Sequence, residues 1–105
     1  MITAEWQRLL SGEEQFMDAD AEEIAKKIMS LMESETDPIK LVQLTNDLEK
    51  VLGSVEWLTR KAERLKELLH DETLSEEERS FIEDKINRVL GRRDVVLKEL
   101  RQRYD

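Results

Sequence analysis

Apolar residues recur at alternating steps of three and four along the middle of the chain: Leu41, Leu44, Leu48, Val51, Val55, Leu58, Ala62, Leu65 and Leu69. That spacing places all nine on one seam of a helix with period 3.5. Asp37-Pro38 marks where this helix begins. Asp caps free amides, and proline at the first helical position has its φ preset and needs no amide donor. No break signal follows until Asp71-Glu72-Thr73-Leu74. Ser75 and Glu78 then have the capping-box spacing, and Glu76, Glu77 and Glu78 suit the positive end of a helix. Past them, Ile82, Ile86, Val89, Val96 and Leu100 continue the seam, while Arg93 and Arg103 stand where apolar residues are expected. The pattern predicts two long helices, over 38–70 and 76–104. A connection of only about four or five residues turns the second back along the first, with Leu58 level with Ile86.

The first third of the chain predicts shorter helices. Thr3 can cap one that carries Trp6, Leu9 and Leu10 on one face, and Ser11-Gly12 ends it. Asp20, with Glu23 three residues on, predicts a cap for a helix over 21–34 with Ile24, Ile28, Leu31 and Met32 on one stripe. The expected fold class is all-α. The architecture is a long antiparallel, coiled-coil-like helical hairpin with one or two shorter N-terminal helices packed on it, as in a three-helix bundle. Residues 1–105 read as a single domain, with 1–37 an acidic arm and 38–105 the hairpin.

Several apolar residues fall off the seam. Ile39, Val42, Leu52, Trp57 and Leu68 do so on the first long helix, and Phe81, Leu90, Val95, Leu97 and Tyr104 on the second. Two helices alone do not need them, and an apolar patch left uncovered usually marks an interface. Gly53 and Gly91 are level in the expected hairpin, and each costs about 1 kcal/mol relative to alanine inside a helix. A close backbone approach there is one reason to keep them. The expected interface is therefore Leu52, Gly53, Trp57, Leu90, Gly91, Leu97 and Tyr104, with Trp6 as a further anchor. The expected function is that of a structural or adaptor module that associates with itself as a dimer or with another protein through this face.

Charge alters this picture in one respect. The net charge is −8, and residues 1–37 hold ten acids against Arg8, Lys26 and Lys27. Residues 85–105 run basic, with Arg88, Arg92, Arg93, Lys98, Arg101 and Arg103. The acidic arm and the basic helix can attract each other, within one chain or between chains. An arm rich in carboxylates also suits a small acidic regulator that binds a basic surface of a larger protein. Overall acidity argues against binding to a phosphate backbone, which needs dense Lys and Arg, so nucleic acid is not an expected partner.

Candidate chemistry is sparse. Glu67-Leu68-Leu69-His70 matches one half of a di-iron helical site, but the chain has a single His and both residues face outward in the heptad. Asp18-Ala19-Asp20-Ala21-Glu22 resembles the start of a calcium loop yet lacks its glycine and its twelfth-position acid. No phosphate loop or nucleophile–base pattern is present. The expectations are no enzyme activity, no cofactor and no metal. The absence of cysteine excludes disulfides. Met1–Trp6 shows no basic-then-apolar leader, and no apolar run approaches the ~20 residues of a membrane span. A cytoplasmic protein without membrane contact is expected.

Overall fold

The computed structural model describes residues 3–105; Met1 and Ile2 lie outside them. Among the described residues the regular structure is entirely helical. Helix α1 spans Ala4–Ser11, α2 Ala19–Ser34, α3 Pro38–Lys50, α4 Trp57–Leu68 and α5 Glu76–Tyr104, with a π-helical segment, Val51–Glu56, joining α3 to α4 without a break.

The local signals act where the sequence places them. The Thr3 hydroxyl accepts from the Trp6 amide at 3.3 Å, and Gly12 closes α1 in the left-handed region at φ 86°. Asp37 accepts from the Ile39 amide and Pro38 opens α3. Ser75 and Glu78 form both halves of a capping box. Between α4 and α5, Asp71 takes the Thr73 amide and hydroxyl, and Arg79 donates to the Leu69 carbonyl at 2.9 Å. That bond satisfies a carbonyl left open at the end of α4.

One cap differs from expectation. Helix α2 is capped by Asp18, not Asp20, and begins two residues early. The Asp18 carboxylate accepts from the Asp20 and Ala21 amides. Both aspartates satisfy the local capping rule. Arg93 bonds both aspartates, but the Thr59 hydroxyl bonds Asp18 alone.

The core forms where α2 lies against α3, the π segment and α5. Ala21, Ile24, Ala25 and Ile28 of α2 are buried with Leu48, Val51, Leu52 and Val55, and with Leu97 and Leu100 of α5. Leu9 of α1 joins them, and Trp6, Phe16 and Tyr104 pack around the edge. With 16 residues, α2 is about 24 Å long, whereas the 29 residues of α5 run about 44 Å. The shorter helix therefore covers one end only. At the other end α4 and α5 pack on each other alone, with Ala62, Ile86 and Val89 buried between them and Leu58, Leu65, Leu69 and Ile82 only half-buried.

Candidate functional site: buried carboxylates and an open helical face

Two carboxylates sit almost entirely inside the protein. Glu56, on the π segment, is 1% exposed. Its side chain accepts the Asp18 amide at 2.9 Å and the Met17 amide at 3.1 Å, and Arg60 donates to it from one turn further on. Asp18 is 4% exposed. Besides capping α2, it receives the Thr59 hydroxyl and two bonds from Arg93, at 2.7 and 2.9 Å. Arg93 also bonds Asp20 at 2.9 Å, and Arg101 bonds the other oxygen of Asp20. The acidic arm and the basic helix do attract each other, and they do so within one chain.

Asp47 is a further buried acid. Arg103 donates to it at 2.6 Å and the Tyr104 hydroxyl at 2.5 Å. Burial, followed by the bond to Asp47, pushes the Tyr104 phenol up to about 12. Asp47 lines an open groove of about 640 Å³ beside Leu31, Lys40, Gln43 and Tyr104. The groove's one deeply buried polar side chain is thus already occupied by two donors. Arg93 and Arg103, the charges that interrupt the heptad seam, each meet one of these buried aspartates.

The residues expected to form one outer face are divided by the fold. Leu52 and Leu97 are buried in the chain's own core, because α2 covers that side of the long helices. Leu90 is half-buried, and so is Tyr104 against Asp47. Trp6 packs on the core rather than outward, and its ring lies over Gly53. A Cβ at Gly53 would stand 3.3 Å from Cζ2 and 3.4 Å from Cη2 of that indole, whereas a Cβ at Gly91 would meet nothing within 4 Å. The close approach at Gly53 is made by Trp6 of the same chain. The two glycines should therefore respond differently. Gly91→Ala raises stability by about 0.5–1 kcal/mol in thermal or urea denaturation. Gly53→Ala gains clearly less, because the indole must shift. Equal gains at both positions would contradict the Trp6 packing.

Trp57 remains exposed, at 40%, and it belongs to a pattern that off-seam counting does not resolve. On α4 the residues Trp57, Lys61, Arg64 and Leu68 follow one another at steps of four, three and four. On α5 the residues Phe81, Lys85, Arg88, Arg92 and Val95 do the same at four, three, four and three. Each set is one stripe of its helix. The exposures of Phe81, Val95 and Leu68 are 71%, 60% and 53%. Both stripes are displaced to the same rotational side of the buried residues Ala62 and Ile86. Arg79 of α5 donates to the Leu69 carbonyl just past α4, and Arg103, near the far end of α5, donates to Asp47 of α3. Stripes displaced alike on helices so placed share one side of the pair. The α2 contacts through Thr59, Arg93 and Arg101 lie on the other side.

The open side is cationic in an acidic protein. Among the described residues, Lys61, Lys85, Arg88 and Arg92 form no ion pair. Arg64 lies 5.5 Å from the centroid of the Trp57 ring, a cation–π contact that leaves its charge without a carboxylate. Among the described residues, no group of three or more His, Asp or Glu side chains is placed to hold a metal ion, and no helix is long and apolar enough to cross a membrane. No family model, curated protein or solved structure matches the chain.

Proposed function

We propose that this chain is a protein–protein interaction module, structural or adaptor in role, that works through helix-on-helix contacts. It presents an antiparallel, coiled-coil-like hairpin whose far half lacks a third helix. One observation carries the reading. Beyond the reach of α2, the pair formed by α4 and α5 leaves its seam half-buried and holds Leu68 and Phe81 in solvent, with Trp57 and Val95 exposed on the same stripes nearer to α2. Large exposed apolar side chains gathered on one face mark interaction sites more often than scattered ones do. A non-catalytic role and a cytoplasmic location accompany this reading.

Self-association through the same face is disfavoured, since two copies would set five cations of one against five of the other. The expected partner is a different chain, and the protein alone should sediment as a monomer. The alternative, a small acidic regulator that docks its N-terminal arm on a basic surface of a larger protein, is the weaker reading. Asp18 and Asp20 are held by Arg93 and Arg101, and Glu22 and Glu23 pair with Lys26 and Lys27.

A Trp57→Ala/Phe81→Ala variant tests the proposal. Both residues are exposed, so stability should stay within about 0.5 kcal/mol of the parent per site. Crosslinking in the source cells should join the parent to a partner that the variant loses. A set of crosslinked proteins identical for parent and variant would refute the role of this face.

A further inference from the structure

Building on that reading, we infer that the open side of α4 and α5 is a docking site for an acidic amphipathic helix of another protein. The shape calls for a helix. Two packed helices form a groove on each side, and α2 fills one of them from one end. On the other side the seam residues Leu58, Leu65 and Ile82 stay half-buried. Ridges of a third helix fit such a groove. The length follows from the stripe. Phe81 to Val95 spans about 21 Å, which a helix of about 14 residues covers.

The charge calls for acids. Lys61, Arg64, Lys85, Arg88 and Arg92 lie on this side without a carboxylate partner. Cations left unpaired in a chain with 25 acids and 17 bases cannot be put down to composition. On the same helices the arginines that face α2 or α3, such as Arg93 and Arg103, are closely paired, whereas among the described residues Lys98, like these five, forms no ion pair. A partner with carboxylates flanking an apolar stripe would complete both the seam and these charges. Complementary potentials of this kind select the partner and speed encounter.

The arrangement favours such a helix over other anionic surfaces. On each stripe the apolar residues stand at the ends and the cations in between. Insertion into a lipid surface needs the reverse, a continuous apolar patch with cations at its rim. A nucleic-acid backbone would meet the repulsion of a net charge of −8.

The test uses the full chain and a displayed library of helices about 14 residues long. Their apolar stripe is fixed, and the flanking positions are drawn from Glu, Gln and Lys. Selection is carried out at about 0.15 M salt. The expected result is enrichment of Glu at the flanking positions. A selected peptide should then bind a Lys61→Glu/Arg88→Glu variant at least about tenfold more weakly. Both substituted residues are exposed and unpaired, so the variant should keep the parent's helicity and melting temperature. Binders without Glu enrichment would overturn the acidic partner yet leave the interaction module standing. Binders indifferent to the variant would overturn the location. No binders at all would count against both. If anionic vesicles or duplex DNA bind the parent but not the variant while no peptide is selected, the face belongs to lipid or nucleic acid and the inference is wrong.

Discussion

Replacing Arg93 by alanine lowers the stability of the fold by about 3–5 kcal/mol, the usual cost of removing one partner of a buried ion pair. A domain of this kind has only about 5–15 kcal/mol in all. The reason lies in what stays behind. Asp18 is buried and keeps its place as the cap of α2, so its charge cannot leave for water without undoing the helix start. Thr59 and the two α2 amides still donate, but no cation balances the carboxylate. The Arg93 variant should respond to neutralisation: Asp18→Asn added to Arg93→Ala recovers part of the loss. A surface pair would show neither the large loss nor the recovery.

Acidity gives an independent check. Burial alone would push the Asp18 carboxyl up, but bonds from Arg93, Thr59 and the Ala21 amide outweigh it and hold the pKa below the ordinary value. A carboxyl with a depressed folded pKa stabilises the fold above its unfolded pKa, and that contribution fades as the pH falls toward the folded one. The parent should thus lose this stability below about pH 4. Without Arg93, burial dominates and the folded pKa rises. Asp18 then takes up a proton at higher pH, which relieves the unpaired charge. The gap between parent and variant should narrow as pH falls from 7 to about 4. Denaturation curves with the same gap at every pH would show that the ion pair is not the cause.

The parts of this fold legible in the sequence are those decided within a few residues. Thr3, Asp37, Gly12 and the Ser75–Glu78 pair act through neighbouring amides and carbonyls, so their spacing suffices. The choice between Asp18 and Asp20 is not local. Asp18, unlike Asp20, also receives the Thr59 hydroxyl, 41 residues away. Part of that signal is nevertheless visible in the sequence: a charge on an apolar seam needs a buried counter-charge, and both interrupting arginines have one. The outer face departs from expectation for a geometric reason. Leu52, Leu97 and Trp57 are all off the seam, but on two different sides of the packed long helices, and only the position of α2 separates them. The stripes at Trp57–Leu68 and Phe81–Val95 emerge only when cations are counted together with apolar residues.

Glu56→Ala should cost about 3–5 kcal/mol, although the heptad puts this residue at a solvent-facing position. The π segment explains the difference. The Trp57 amide bonds the Leu52 carbonyl, five residues back, so the turn holds one residue more than an α-helix. An extra residue rotates the next turns of the helix by about 100°. Glu56 thereby turns inward, against the segment that leads into α2. There it accepts the amides of Met17 and Asp18, which belong to neither α1 nor α2 and have no helical acceptor. A buried amide left without an acceptor costs about 1–3 kcal/mol, and truncation strands the buried Asp18 amide, the part-buried Met17 amide and Arg60. Glu56→Gln keeps one acceptor oxygen but turns an NH₂ toward the second amide, so it should fall between the parent and Glu56→Ala. Hydrogen exchange locates the effect. The Met17 and Asp18 amides should lose protection in Glu56→Ala at denaturant concentrations where α4 and α5 amides near Ala62 and Ile86 keep theirs, because the two-helix end does not depend on this contact. A variant within about 1 kcal/mol of the parent would mean that water replaces the carboxylate at little cost, and that the π turn does not hold the arm through Glu56.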